Sequence, residues 1–321
     1  MKGKPEIIVV VGPTSSGKSN LAVEIAQACN GEIISADSRQ VYRGMNIGSG
    51  KVPISYEPNG ESKKSGIQKM PRRGKATYYR NIRHHLLDVA SPKRTFTVAQ
   101  YQQHAQRALR TIIKRGKLPI ICGGTGMYID AVIYNYQFPP VPPQPQLRKK
   151  LNRMSTHKLV ALLSAQDPER AAHIDIHNRR RLIRALEIIQ VTGQQVTKLH
   201  TTSPYHTLWI GIHIPRKTLV RRIATRLRTR IKEGMIREVE QLHQSGISWH
   251  RLESFGLEYR YITQYLQKKF TKDVMIAELE RAICRYVKRQ MTWFKKNRNI
   301  HWIDTAQEAI SLTRQSIVSK Q

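Results

Sequence analysis

Residues Gly12-Pro13-Thr14-Ser15-Ser16-Gly17-Lys18-Ser19 fit the pattern GxxxxGK[ST], and they stand between a strand pattern and a helix pattern. The run Ile7-Ile8-Val9-Val10-Val11 before them is apolar and β-branched, the composition of a strand buried on both faces. Behind Ser19, the residues Leu21, Ala22, Ile25, Ala26 and Ala28 recur at helical spacing. A chain that passes from buried strand through glycine-rich turn to helix start is held to one local geometry. Main-chain N–H groups and the positive end of the helix dipole converge on a single point, where a phosphate chain fits. Lys18 adds a point charge there, and the Ser19 hydroxyl a ligand for Mg²⁺. A polyphosphate ligand follows; the loop does not say which one.

Three more strand-and-turn units extend this start. Glu32–Ala36 leads into Asp37-Ser38-Arg39-Gln40, His85–Val89 precedes a helical stretch over Val98–Lys114, and Leu118–Cys122 leads into Gly123-Gly124-Thr125-Gly126. Strands alternating with helices predict an α/β fold with a parallel sheet, its ligands at the carboxyl ends of the strands. Residues 53–83, rich in Lys, Gly, Ser and Pro, read as a long mobile surface excursion. The proline cluster at Phe138-Pro139-Pro140-Val141-Pro142-Pro143-Gln144-Pro145 reads as a stiff boundary. A helical insertion is expected over 138–205, with a strand over Leu208–Ile214 returning to the parent sheet. The catalytic core is then 1–137 with 206–321.

Charge narrows the partner. Lys and Arg number 55 against 22 Asp and Glu, a formal net charge of +33 in 321 residues. The excess is uneven: +1 over residues 1–50, +15 over 51–150 and +17 over 151–321. A small phosphorylated metabolite has no use for so large a positive field, whereas a nucleic acid does. Three scattered cysteines, Cys29, Cys122 and Cys284, make neither a disulfide framework nor a zinc site. With no leader pattern and no apolar run of membrane-spanning length, a cytoplasmic protein without membrane contact is expected.

Asp37, just past a strand end, is open to three roles: holding Mg²⁺ through water, general base, or cap of the next helix. Arg222, Arg226 and Arg230 recur at spacing four beside the apolar row Leu219, Ile223, Leu227 and Ile231. Arg222 and Arg226 are candidates for binding phosphate oxygens, while Arg228 and Arg230 read as a solvated basic face. The segment Arg285–Lys296 interleaves Lys288, Arg289, Lys295 and Lys296 with Tyr286, Trp293 and Phe294, a mix that suits RNA. For Trp293 and Phe294 a core position is the simpler reading.

Taken together, GPTSSGKS (12–19), ISADSRQVYRGMNIGSGK (34–51), HHLLDVASP (84–92), ICGGTGMYI (121–129), RRRLIRALEI (179–188), PRKTLVRRIATRLRTRI (215–231) and VKRQMTWFK (287–295) resemble the tRNA dimethylallyltransferases, also called tRNA isopentenyltransferases. The resemblance runs in the family's order over nearly the whole chain. It implies a core like that of phosphate-loop NTPases and a magnesium requirement; a monomer is expected because nothing in the sequence suggests an obligate partner. It also implies transfer of a dimethylallyl group from its diphosphate to N6 of adenosine-37, beside the anticodon of tRNA.

The same resemblance assigns Gly12, Pro13, Thr14, Ser15, Ser16, Gly17, Lys18 and Ser19 to the donor's diphosphate, with Arg226 and its neighbour Arg222. Thr14 joins Asp37 and Arg226 in the catalytic set, and Ser19 holds the metal. Asp37 becomes the general base, flanked by Ser38, Arg39 and Gln40 at the target base. Thr125, Arg148, Arg180, Arg181 and Arg184 match positions touching the anticodon stem-loop. The sequence departs from the family pattern at Arg230, commonly apolar, and at Ser254-Phe255-Gly256-Leu257-Glu258, where a GYKE-like segment is usual. An adenylate isopentenyltransferase and an ATP-dependent phosphate-loop kinase are the competing readings. Neither needs the basic insertion or the +33 charge.

Overall fold

The alternating pattern assembles into a seven-stranded sheet in the computed structural model, which describes residues 4–57, 76–196 and 202–318. The chain divides into two compact units: Met1–Asn135 with Ser203–Gln321, and Tyr136–Thr202. The smaller unit begins two residues before, and ends three before, the insertion expected over 138–205.

In the larger unit the strands are β1 (Glu6–Val11), β2 (Gly31–Ser35), β3 (Thr77–Tyr79), β4 (Ile82–His85), β5 (Leu118–Gly123), β6 (His206–Ile212) and β7 (Ile300–Ile303). Their order is β3-β4-β2-β5-β1-β6-β7, parallel throughout except for the edge pair β3–β4. Alternation along each strand sorts the core into two layers. Ile7, Val9, Val11, Ile34 and Ile121 face one way, and Ile8, Val10, Ile33, Ile120 and Ile210 the other. The second layer is covered by α1 (Lys18–Ala28) and α13 (Ala306–Val318), through Leu21, Ala22, Ile25 and Ala309.

The first layer lies under α2 (Val98–Lys114), α3 (Gly126–Ile133), α8 (Arg216–Lys232), α9 (Met235–Gln244), α10 (Trp249–Ser254), α11 (Leu257–Leu266) and α12 (Lys272–Phe294). The α2 helix has the expected bounds and starts at a capping box. Thr97 Oγ1 accepts from the Gln100 amide at 3.2 Å, and Gln100 Oε1 accepts from the Thr97 amide at 2.9 Å. Of the segment Arg285–Lys296, residues 285–294 are the last part of the 23-residue α12 and Lys295 and Lys296 follow its end; Phe294 is core and Trp293 donates its indole N–H to Asp130 Oδ2 at 3.0 Å.

Three expectations need correction. The strand read over 85–89 lies earlier, at Ile82–His85, because Leu86 and Asp88 adopt left-handed φ of 64° and 56° that no strand sustains. Leu86 and Leu87 are buried loop residues, and Asp88 is fixed by an ion pair with the buried Lys51 at 2.5 Å. The excursion read over 53–83 is also shorter. Ser55 and Tyr78 exchange backbone hydrogen bonds of 2.8 Å, and residues 77–83 form the β3–β4 hairpin. The rest of it, 58–75, lies outside the described residues. The returning strand, expected over 208–214, is β6 two residues earlier.

The smaller unit holds α4 (Pro145–Asn152), α5 (Thr156–Gln166), α6 (Pro168–His173) and α7 (Arg179–Thr192). Leu151, Leu159, Leu163, Leu182, Ile183, Leu186 and Ile189 make its core. Ser155, Asp167 and Asn178 cap the last three helices, and Pro145 and Pro168 stand in the first turns of α4 and α6. Among the described residues no helix is long and apolar enough to cross a membrane.

Candidate active site

The loops that follow β1, β2 and β5 meet at the carboxyl edge of the sheet, where parallel α/β sheets gather ligands. Register brings Val11 beside Gly123 and Ser35 beside Cys122, so the chain beyond each strand emerges next to the others. The Ala36 amide donates to Cys122 O at 2.8 Å and the Thr125 amide to Ala36 O at 3.1 Å. A Cβ at Gly123 would lie 2.1 Å from Ala36 O, so only glycine lets these two segments touch.

The phosphate loop keeps the form its sequence implies. Ser15 and Gly17 are left-handed, with φ of 64° and 95°, and Ser16 donates its amide to Pro13 O at 3.2 Å. Gly17 N-caps α1 without a side-chain hydrogen bond, and the first turn of α1 carries no acidic residue. Among the described residues the amides of Gly17, Lys18 and Ser19 donate to no protein acceptor. Three adjacent free donors at a helix start are an anion site. The Thr14 amide, by contrast, donates to Gln290 Oε1 at 3.0 Å, while Gln290 Nε2 donates to Gly124 O at 2.9 Å. Thus α12 ties the phosphate loop to the turn after β5. No local sequence signal marks this buried glutamine.

A cavity of about 620 Å³ opens over these loops. Of the expected site residues it is lined by Thr14, Ser15, Gly17, Lys18, Ser19, Asp37, Gln40, Arg222 and Arg226. Gly12, Pro13 and Ser16 support the loop from behind; Ser16 Oγ is buried without a hydrogen-bond partner. Lys18 Nζ donates to Pro13 O at 3.2 Å. Burial pushes its pKa below the ordinary lysine value, with Arg226 acting in the same sense and Cys122 and Asp37 against it. Burial, and next the neighbouring Arg230, bring Arg226 down to about 10, so it remains a cation at neutral pH. Burial pushes the Cys122 thiol up to about 11, leaving it protonated.

Asp37 has one oxygen in structural use. Its Oδ1 accepts from the amides of Arg39 at 2.8 Å and Gln40 at 3.4 Å, an Asx turn. Its Oδ2 accepts no hydrogen bond among the described residues. Ser38 donates its amide to Thr125 Oγ1 at 3.2 Å, and Arg39 Nη1 donates to Ser38 Oγ at 3.2 Å. Gln40 Oε1 accepts from Ser35 Oγ at 3.0 Å, and its Nε2 donates to Gly50 O at 3.3 Å. Tyr286 of α12 stands near this turn: burial, and next the Asp37 charge, push its phenol up to about 12.

Arg230 is not on a solvated face. It is buried, it lines the same cavity, and its Nη1 lies 3.4 Å from Glu258 Oε1. The row at spacing four therefore turns inward one turn further than its sequence alone implied, whereas Arg222 and Arg228 are exposed.

Arg148 and Arg184, matched to tRNA contacts, are engaged within the smaller unit. Arg148 donates through Nε and Nη2 to both oxygens of the fully buried Glu187, each at 2.7 Å. Arg184 adds a bond of 2.6 Å to Glu187 Oε2 and one of 3.0 Å to Val141 O. Burial works to raise the Glu187 pKa, but bonds from Arg148, the Gln144 amide and Arg184 outweigh it and hold the carboxyl down to about 2. These two guanidinium groups hold the unit together. Arg180 and Arg181 are exposed on α7.

Among the described residues no three His, Cys, Asp or Glu side chains cluster as a metal site. Ser19 and Asp37 nevertheless both face the cavity. Mg²⁺ keeps water and substrate phosphates as most of its ligands, so one hydroxyl and one carboxylate suffice for a cation carried on a diphosphate.

The IPP transferase family model matches residues 70–297, and the isopentenyl transferase model residues 5–60. The tRNA dimethylallyltransferase 1 of Syntrophus aciditrophicus is 42% identical over 294 residues, 90% of this chain and 89% of the relative. That of Geotalea uraniireducens is 39% identical over 303 residues, 93% and 92% of the two chains. The solved tRNA isopentenylpyrophosphate transferase of Bacillus halodurans superposes with a TM-score of 0.67 at 34% identity, over 99% of this chain and 97% of that one. A eukaryotic dimethylallyltransferase acting on tRNA shares the fold, with a TM-score of 0.78 at 22% identity over 99% of this chain and 80% of the other.

Proposed function

The chain belongs to the IPP transferase family, and from that premise we propose that it moves the dimethylallyl group of dimethylallyl diphosphate onto N6 of adenosine-37, beside the anticodon of a tRNA, giving N6-isopentenyladenosine. The observation that carries this reading is one cavity holding three free phosphate-loop amides, Lys18 and Arg226 together with a carboxylate, Asp37, that keeps one oxygen uncommitted.

An allylic C–O bond breaks readily once charge on the departing diphosphate is stabilised. The amides of Gly17, Lys18 and Ser19, with Lys18 Nζ and the Arg226 guanidinium, supply fixed positive charge for it. Ser19 would hold a Mg²⁺ ion, which when bound would supply Lewis-acid stabilisation to the same leaving group. The acceptor adenine has to leave its stack, which costs a few kcal/mol and least in a loop. Asp37 Oδ2 takes a proton from N6 as the nitrogen bonds to the allylic carbon, while Oδ1 keeps the turn in place. Ser38, Arg39, Gln40 and Thr125 surround the entering base.

The charge of +33 suits a tRNA partner, and free adenylate leaves it without a purpose. Arg180 and Arg181 of the helical insertion bind the anticodon stem. The enzyme works as a monomer in the cytoplasm. The test is to supply unmodified tRNA and Mg²⁺ with label in dimethylallyl diphosphate or in ATP. Label entering RNA from the allylic donor alone supports the reading; phosphoryl transfer from ATP overturns it.

A further inference from the structure

We propose that Arg230 is a second guanidinium of the donor site, gripping the diphosphate together with Arg226. The inference rests on the reading of this cavity as a diphosphate site and adds a residue that the family pattern leaves apolar.

Four observations converge on it. Arg230 is 9% exposed and lines the cavity that holds the phosphate loop. Its one hydrogen bond among the described residues runs from Nη1 to Glu258 Oε1 at 3.4 Å, longer than the roughly 2.7–2.9 Å of a full charge-assisted bond, so Nε and Nη2 keep their donors for another acceptor. Arg226 makes no ion pair among the described residues. The two guanidinium groups also aim at one point. A Cβ built on Gly50, which turns at φ 63°, would stand 1.6 Å from Arg230 Nη2 and 2.5 Å from Arg226 Nη2. The two nitrogens are therefore no further apart than those distances laid end to end.

Two cations in near contact, both largely removed from water, are unfavourable on their own. An anion bridging them removes the penalty, and a diphosphate offers oxygens on two phosphorus atoms to two planar forks. Both arginines also lower the Lys18 pKa, which places their field on the phosphate loop. Gly50 completes the device, since its missing side chain is the space into which both guanidinium groups fit.

Calorimetric titration of inorganic pyrophosphate with Mg²⁺ into the full chain tests this, with tRNA affinity and thermal unfolding measured alongside. Arg230→Met is expected to weaken pyrophosphate binding by about 10- to 100-fold, the range set by losing one charged bond in a dry site, with tRNA affinity unchanged. Should that variant not fold, Arg230→Lys carries the test, with a loss of several-fold because an ammonium cannot fork. Glu258→Gln separates binding from structure. A donor residue freed from its carboxylate holds pyrophosphate at least as tightly, whereas an ion pair that merely props the site fails equally from either end. Unchanged pyrophosphate affinity in the Arg230 variant, or equal losses in the Arg230 and Glu258 variants, overturns the proposal. Failure of the unaltered chain to bind pyrophosphate overturns the donor-site reading itself.

Discussion

Asp37 has one of the roles its position leaves open filled by the structure: its Oδ1 caps the turn through the Arg39 and Gln40 amides. Its Oδ2 accepts no hydrogen bond among the described residues and is the atom to which the proposed base role falls. Asparagine keeps an acceptor for the turn but is no base. Asp37→Asn is therefore expected to lower single-turnover transfer by about 10²–10⁴ while tRNA affinity holds, as measured by quench-flow and filter binding. An equal loss of tRNA affinity would mean that the cap, not the base, had been removed. That Lys18, Ser19 and Asp37 line one cavity was legible from the phosphate-loop motif and a strand end, whereas Arg226 was marked by the family resemblance and left open by its spacing. Arg230 was not legible. Spacing of four shows that it shares a row with Arg226, but which end of the row is covered is decided by Gly50, 180 positions away. The bonds of Arg148 and Arg184 to Glu187 were not legible either, since Arg148 lies 39 positions from the carboxylate it shares with Arg184.

Elements are legible where their periodicity is local and uninterrupted. The α2 helix, with its capping box, and the strands β1 and β5 are of this kind. The strand expected over 85–89 was displaced because an apolar run also describes a loop whose side chains are buried, and Leu86 and Leu87 form such a loop. The role of α12 was hidden for another reason. Its basic face suggested RNA, while Gln290 on its inner side joins Thr14 to Gly124. Gln290→Ala is expected to raise KM for dimethylallyl diphosphate several-fold by loosening the phosphate loop, with unfolding temperature little changed; steady-state kinetics on the donor checks this.

Within the helical insertion, the depressed Glu187 pKa makes stability depend on acid. A carboxyl whose folded pKa lies below its ordinary 4.5 stabilises fully above that value and is lost as pH falls toward about 2. Glu187→Gln is expected to cost about 1–3 kcal/mol near neutral pH, since it weakens charge-assisted bonds to two part-exposed guanidinium groups, and to flatten the acid limb of the unfolding curve. Urea unfolding at pH 7 and pH 3 measures both.

For the whole molecule the dominant fact is charge. A net charge of +33 in 321 residues suits a polyanionic partner better than a small phosphorylated metabolite alone. What composition cannot give is which cations are free, because ion pairs such as Arg148–Glu187 withdraw some from the count. Affinity for tRNA is expected to fall steeply with salt, by about 10³ or more between 50 and 200 mM if six or more phosphates are contacted, and donor affinity far less. Arg180→Ala with Arg181→Ala is expected to shallow that slope by about two phosphate contacts without altering pyrophosphate affinity, as filter binding over a salt series would record. The most direct measurement is mass analysis of the nucleosides released from unmodified tRNA after incubation with the protein, Mg²⁺ and dimethylallyl diphosphate. One adenosine, the one 3′ of the anticodon, is expected to carry a single dimethylallyl group on N6. Unaltered adenosines, or the group on free adenylate and none on tRNA, would contradict the proposed function.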